Sequence, residues 1–125
     1  MQVTATARIH LRSDGLVVVN IQHGAFQSLE DAKTNLAAAI AATNARRRPL
    51  LVDIRGAQPL DASVRHYYSG PRVVEHFSAL ALLVEGTPLG RMMGNVYLRV
   101  VRLGIPTRLF SDESVASTWL TRYTT

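Results

Sequence analysis

Three arginines are the residues of this sequence best suited to bind a charged ligand. Arg55 directly follows an apolar run, Arg65 falls about one turn into a predicted helix, and Arg91 falls in the first turn of another. Guanidinium groups near helix N-termini suit phosphate and carboxylate groups, because they donate paired hydrogen bonds. The three positions therefore predict an anion-binding pocket.

Two adjacent tyrosines, Tyr67 and Tyr68, precede the Gly70-Pro71 break in the same region. One ring of such a pair is expected in the core, and the other could form a wall of the pocket above Arg65. The predicted ligand-binding residues are thus Arg55, Arg65, Tyr67, Tyr68 and Arg91.

An alternative interpretation needs no ligand at that place. Arg55 and Arg65 would pair with neighbouring carboxylates, namely Asp53, Asp61 or Glu85. We favour this pairing, because half-buried arginines are ordinarily paired.

The helix predicted to begin at Pro88 is the candidate contact surface, and Gly94 would allow a second molecule to approach it closely. We expect a homodimer contact at this helix. The residues predicted there are Met92, Met93, Asn95, Tyr97 and Arg99. Its polar, basic face could also contact a nucleic-acid backbone, but every amphipathic surface helix has a polar face, and we favour no nucleic-acid binding.

The sequence gives little support for metal binding, cofactor binding or catalysis. The chain has no cysteine and its four histidines are not spaced as metal ligands, so we expect no metal and no cofactor. No nucleophile motif such as Gly-x-Ser-x-Gly or Ser-x-x-Lys occurs. We expect a protein that is not an enzyme. The alternative left open is an enzyme of unrecognised type, in which Ser63 or a tyrosine would use the arginine-lined pocket.

The composition is that of one folded domain spanning residues 1–125, since 47% of the residues are hydrophobic and 18% are charged. The net charge of +5 includes a run of three arginines, Arg46 to Arg48, which we interpret as the solvated end of a helix. Neither an export signal nor a membrane span is recognisable, so we expect a cytoplasmic protein.

The first two predicted strands form a hairpin. Ala5–Arg12 alternates apolar and polar residues, and the run Leu16–Gln22 follows Ser13-Asp14-Gly15. A three-residue loop with Gly15 in the left-handed conformation keeps the apolar residues of both strands on one face. It would pair Leu11 with Val17, Ile9 with Val19 and Ala7 with Ile21.

The remaining elements alternate between helices and strands. Ser28 and Asp31 resemble a capping box before a helix over residues 29–45, and Asp61 and Asp112 are placed to cap later helices. The last of these helices has Val115, Ala116, Trp119 and Leu120 on its apolar face. The predicted strands are Ala5–Arg12, Leu16–Gln22, Leu50–Ile54, Ala79–Glu85 and Thr107–Phe110.

The predicted order is therefore β-β-α-β-α-β-α-β-α, an α/β fold. Right-handed crossovers make the last four strands parallel and sequential, with the first strand antiparallel at the edge.

This order, together with Leu51-Val52-Asp53-Ile54-Arg55-Gly56 and Leu60-Asp61-Ala62-Ser63, resembles the STAS domains. It is similar in particular to small uncharacterised bacterial STAS/SEC14-like proteins. The resemblance implies the anti-anti-sigma-factor-like fold, a mixed sheet with a parallel β/α superhelix. In regulatory STAS domains the first serine after the aspartate is phosphorylated. The matching position here is Ala62, which has no hydroxyl, so that switch cannot operate at this residue.

Ser63 is the neighbouring hydroxyl, and phosphate at a helix N-terminus is electrostatically favoured. We nevertheless expect Ser63 to serve as an ordinary first-turn residue that makes local hydrogen bonds. The overall hypothesis is a STAS-like binding or regulatory domain. It would bind a protein partner or a small anionic or amphipathic ligand in the crevice at the strand ends.

Overall fold

The structure is a computed structural model that describes residues 1–100 and 104–124, without the side chains of residues 93 and 96–100. Six strands form one sheet in sequential order. They are β1 (Gln2–Val3), β2 (Ala7–Leu11), β3 (Val17–Ile21), β4 (Arg48–Asp53), β5 (Phe77–Leu83) and β6 (Thr107–Phe110). The first three are antiparallel neighbours, and β3 to β6 are parallel.

In the described part of the chain, five α-helices connect or cover the strands. They are α1 (Leu29–Ala42), α2 (Ala62–Tyr68), α3 (Pro71–His76), α4 (Pro88–Val100) and α5 (Glu113–Leu120), and a 3-10 turn follows at Thr121–Tyr123. Both halves of the capping box at Ser28 and Asp31 are formed, and Asp61 and Asp112 cap α2 and α5. The three N-caps predicted from the sequence are confirmed.

The hairpin between β2 and β3 has the predicted register. Leu11 lies opposite Val17, Ile9 opposite Val19 and Ala7 opposite Ile21. Gly15 has φ +91°, a conformation that glycine adopts without the steric cost of a side chain. The alternation of apolar residues and the loop glycine therefore suffice to set this pairing.

The structure corrects the predicted elements at three places. Gln2–Val3 adds an edge strand outside β2, so β2 is not the edge. The segment after Gly70, expected to be a turn, is the helix α3, because Pro71 suits the first helical position. α1 ends at Ala42 rather than near residue 45, because the next turn contains two left-handed residues, Asn44 (φ 52°) and Ala45 (φ 61°).

Helices cover the sheet on two sides, and each side has its own apolar cluster. α1 and α3 belong to the cluster that includes Leu36, Val73 and Leu82. α5 covers the other side, where Leu51, Leu83 and Trp119 pack together. α4 lies against β6, and a Cβ at Gly94 would collide with the side chain of Leu109. Glycine at this position permits that close approach.

Candidate functional site

An apolar cavity lies between α1 and the sheet. Its volume is about 80 Å³, and α2 and α3 close it on one side through Tyr68 and Val73. The strands β3, β4 and β5 form the floor of the cavity. The lining residues are Val19, Ile21, Gln27, Asn35, Leu36, Ala39, Leu50, Val52, Ile54, Tyr68, Val73, Leu80 and Leu82.

The composition of α1 explains why this space is unfilled. The helix has a run of alanines in its second half, and only Leu36 and Ala39 reach the cavity there as apolar side chains. Small side chains on the helix leave space above the strands. Val52 and Leu80 consequently remain only half-buried, although they lie on the two central strands of the parallel part of the sheet.

Polar side chains are gathered at one end of the cavity. The Tyr68 hydroxyl donates to Gln27 Oε1 at 2.7 Å, and Asn35 Nδ2 donates to the same oxygen at 3.2 Å. Asn35 also bonds to Thr6 Oγ1 at 2.8 Å, while Thr4 Oγ1 donates to Asn35 Oδ1 at 2.6 Å. These bonds hold the polar end of the cavity in a defined geometry.

The polar end carries no charge at neutral pH. Burial raises the pKa of Tyr68 well above its ordinary value, so the phenol stays protonated. None of the thirteen lining residues is an aspartate, glutamate, lysine, arginine or histidine. Because a buried ion without a partner is strongly disfavoured, the cavity suits an uncharged, largely apolar group.

The crevice at the carboxyl ends of the strands is a separate pocket of about 250 Å³. It lies between the starts of α4 and α5. The residues that line it are Val84, Arg91, Leu109, Phe110, Ser111, Asp112 and Val115. Of the three arginines predicted to bind a ligand, Arg91 is the one in this lining.

The other two arginines have partners within the chain. Arg55 donates to both carboxylate oxygens of Asp53, at 3.0 and 2.9 Å, which is the pairing favoured from the sequence. These hydrogen bonds raise the pKa of Arg55, and the nearby carboxylates of Glu113 and Glu85 add to the effect. Arg65 Nη1 donates to the carbonyl oxygen of Leu60 at 2.6 Å.

The two tyrosines lie side by side, with ring centroids 5.8 Å apart. Tyr68 lines the cavity beneath α1 and not the crevice at the strand ends. The predicted ligand-binding residues are therefore distributed over distinct surroundings: Arg91 in the crevice, Tyr68 in the cavity, and Arg55 and Arg65 in intramolecular hydrogen bonds.

Ala62, which the resemblance matches to the phosphorylated serine of regulatory STAS domains, lies at the start of α2. Ala62 is the first helical residue, and it is exposed. The Ser63 hydroxyl donates to Asp61 Oδ1 at 2.7 Å, and the Val64 amide donates to the same oxygen at 3.2 Å. Both bonds lower the pKa of Asp61. Ser63 thus makes the local hydrogen bond expected of a first-turn serine.

The predicted dimer contact on α4 is described only in part. The side chain of Met92 is 57% exposed, and Asn95 is also exposed. The side chains of Met93, Tyr97 and Arg99 lie outside the described residues. Leu89 and Val115 are further exposed apolar residues, and Val115 lines the crevice.

Two further findings concern metals and membranes. Within residues 1–100 and 104–124, no group of three histidine, aspartate or glutamate side chains is arranged to hold a metal ion. No helix in the described part of the chain has both the length and the apolar character needed to cross a membrane.

The cavity was not predicted from the sequence. Its signals were the alanine-rich second half of α1 and two polar residues, Gln27 and Asn35, that are buried beside it. Neither signal reveals by itself how far the helix stands from the sheet.

Comparisons with known proteins agree with this architecture. The solved structure of an uncharacterised protein of the DUF3478 family from Shewanella loihica PV-4, described as having a SpoIIAA-like fold, superimposes with a TM-score of 0.62. The two share 17% sequence identity, and the match covers 96% of this chain and 98% of the other. The STAS-like fold expected from the sequence is confirmed. No curated protein matches the sequence. A family model matches residues 9–124, and the chain therefore belongs to the family described as a domain of unknown function, DUF7793.

Proposed function

We propose that this protein is a non-enzymatic binding or regulatory domain that takes up the apolar part of a small amphipathic molecule. The observation that carries the proposal is the uncharged cavity of about 80 Å³ between α1 and the sheet. The strand-end crevice was the ligand-binding site predicted from the sequence. Its lining is less apolar than that of the cavity and includes Arg91 and Asp112.

The cavity favours a ligand through the hydrophobic effect. Each Å² of apolar surface that a ligand removes from water contributes about 25 cal/mol, and the half-buried side chains of Val52 and Leu80 would be covered as well. A space of this size suits a short alkyl segment rather than a large ring system. Engineered apolar cavities of about 150 Å³ take up benzene or xenon, which sets the scale.

The polar end of the cavity supports an amphipathic ligand rather than a hydrocarbon. The Tyr68 oxygen donates its proton to Gln27 and keeps lone pairs that can accept a hydrogen bond. An alcohol or amide group of the ligand would be oriented there without a charge. Burial raises the pKa of Tyr68, so at neutral pH the hydroxyl keeps its proton and its hydrogen bond to Gln27.

The proposal is tested by titrating the protein with xenon and with 1-hexanol while recording methyl NMR spectra. We expect saturable shifts at the methyl groups of Leu36, Val52 and Leu80, which line the cavity. At a hundredfold excess of hexanol over its Kd, linkage predicts a gain of about 2.7 kcal/mol in the free energy of unfolding.

The matched variants are Ala39→Leu, which places a larger side chain in the cavity, and Ala37→Leu, which makes the same change on the exposed side of α1. Ala39→Leu should abolish both responses, and Ala37→Leu should preserve them. Should Ala39→Leu fail to fold, Leu36→Ala enlarges the cavity and should tighten binding of longer alcohols. Shifts that are absent in the wild type, or equal in the two leucine variants, would refute the proposal.

A further inference from the structure

The polar end of the apolar cavity belongs to a chain of hydrogen bonds that begins in the turn between β1 and β2. The backbone amides of Ala7 and Thr6 both donate to Thr4 Oγ1, at 3.0 and 3.3 Å. A backbone amide can only donate, so the Thr4 oxygen accepts twice and has one hydrogen left to donate. Asn35 Oδ1, at 2.6 Å, is a closer acceptor for it than the carbonyl oxygen of Ala7, at 3.4 Å. The backbone therefore sets the direction of the chain.

This direction fixes the orientation of the Asn35 amide. With Oδ1 facing Thr4, both N–H groups of Nδ2 donate, one to Thr6 Oγ1 at 2.8 Å and one to Gln27 Oε1 at 3.2 Å. Gln27 must then present its oxygen to Asn35, because its nitrogen at that place would set a donor against a donor. The orientation of the Gln27 amide thus follows from the turn before β2.

The Gln27 amide uses only its oxygen in this network. Oε1 accepts from Asn35 and, at 2.7 Å, from the Tyr68 hydroxyl, which occupies both of its lone pairs. Among the described residues, Gln27 Nε2 donates to no acceptor. Gln27 is only 3% exposed, and its amide lies between two other lining residues of the cavity, Asn35 and Tyr68. The polar end of the cavity therefore has a surplus of hydrogen-bond donors.

The unpaired nitrogen can be reached by a small group. In the described part of the chain, the fully enclosed side-chain atoms that lack a hydrogen-bond partner are His10 Nδ1 and Arg65 Nε. Gln27 Nε2 is not one of them, so it retains accessible surface. A largely buried donor without an acceptor is energetically unfavourable, and a bound acceptor would remove that cost.

We propose that Gln27 Nε2 donates to the carbonyl oxygen of the ligand, so that the cavity selects an uncharged carbonyl group carried on a short alkyl chain. A carbonyl oxygen accepts hydrogen bonds and has no hydrogen that needs an acceptor in return. A hydroxyl group brings such a hydrogen, and both lone pairs of Gln27 Oε1 are already in use. A carboxylate is disfavoured because no lysine, arginine or histidine lines the cavity.

This inference rests on the proposed function, because it concerns the same cavity. It adds the chemical class of the polar group and assigns Gln27 as the residue that determines specificity. The cavity by itself would accept any uncharged group of suitable size.

The test compares 2-hexanone with 2-methyl-1-hexene, which has nearly the same shape but a CH₂ group in place of the carbonyl oxygen. Each is titrated into the full chain while methyl and side-chain amide NMR spectra are recorded. We expect both compounds to shift the methyl signals of Leu36 and Leu80, which line the cavity. Only the ketone should move the side-chain amide protons of Gln27 downfield. The infrared C=O band of bound, isotope-labelled 2-hexanone should lie below its position in a hydrocarbon solvent.

Gln27→Met removes both N–H donors and keeps a side chain of similar length. It should raise the Kd of 2-hexanone about fivefold, as expected for the loss of one hydrogen bond, and change that of 2-methyl-1-hexene by less than twofold. Gln22→Met is the matched control, because Gln22 is exposed just after β3 and lies outside the cavity lining. It should change neither Kd by more than twofold.

The outcomes separate this inference from the proposed function. If neither compound shifts the cavity methyl signals, both proposals are wrong. Methyl shifts with an unchanged Gln27 amide signal would overturn the carbonyl site alone, as would equal changes of the two Kd values in Gln27→Met or a similar loss in Gln22→Met. Should Gln27→Met fail to fold, the wild-type infrared band decides, because a band at its position in hydrocarbon excludes the hydrogen bond.

Discussion

Three aromatic side chains pack together on the face of the sheet that α5 covers. Trp119 is 7% exposed, and its ring centroid lies 5.5 Å from that of Phe110 and 5.2 Å from that of Tyr123. The guanidinium carbon of Arg108 lies 5.6 Å from the Trp119 ring. The core position predicted for Trp119 is confirmed. Val115, predicted on the same apolar face, is instead 55% exposed, because it borders the strand-end crevice.

Trp119→Ala should lower the free energy of unfolding by about 3 to 5 kcal/mol, since it removes a large buried ring and leaves a cavity. Chemical denaturation measures this loss. Val115→Ala on the same helix is the control, and its effect should stay within about 0.5 kcal/mol, as for most surface changes. Similar losses in the two variants would contradict the burial that separates them.

At the scale of the element, two helices begin with the same arrangement. Asp61 and Asp112 each accept hydrogen bonds from the backbone amide three residues later and from a serine hydroxyl two residues later. The bond from Ser114 and then that from Val115 lower the pKa of Asp112, and the charge of Arg55 contributes in the same direction. A carboxylate at a helix N-terminus also interacts favourably with the helix dipole.

A lowered pKa links the Asp112 cap to acid stability. The charged form is favoured in the folded state, so its contribution is complete above the ordinary value of 3.8 and is lost as the pH falls through the lower folded pKa. Asp112→Asn retains an oxygen that can cap α5 but does not titrate. We therefore expect its Tm to fall less than that of the wild type between pH 5 and pH 2. Parallel Tm curves for the two proteins would show that the cap makes no pH-dependent contribution.

At the scale of the whole molecule, the two sides of the sheet are packed differently. The side covered by α5 contains fully buried residues such as Leu51 and Leu83. The side covered by α1 contains the cavity, and Leu80 on the same strand as Leu83 is only half-buried there. The molecule thus combines one closely packed layer with one that contains a cavity.

This asymmetry predicts different costs for the same substitution on one strand. Leu83→Ala should lower the free energy of unfolding by about 4 to 5 kcal/mol, and Leu80→Ala by about 2 to 3 kcal/mol, within the range for buried leucines. The difference arises because Leu80 already borders an open space and loses fewer contacts. Urea denaturation of both variants measures it, and a larger loss for Leu80→Ala would contradict the packing described above.

Much of the architecture followed from local signals in the sequence. Alternating apolar residues and Gly15 determined the hairpin register, and Ser28, Asp61 and Asp112 marked helix starts, because these effects act within a few residues. The alternation of strands and helices then determined the parallel order, since right-handed crossovers leave few other arrangements. The edge strand β1 was missed, because two exposed residues have no periodicity to detect.

Tertiary structure decided which side chains surround each pocket. The cavity depends on how far the alanine-rich helix stands from three strands, a distance that side chains from separate parts of the chain set together. The partners of Arg55 and Arg65 depend on which carboxylates and carbonyl oxygens the fold brings within reach of long, flexible side chains. Ala62 alone was sufficient to exclude phosphorylation at that position, because a missing hydroxyl is a property of the residue and not of its surroundings.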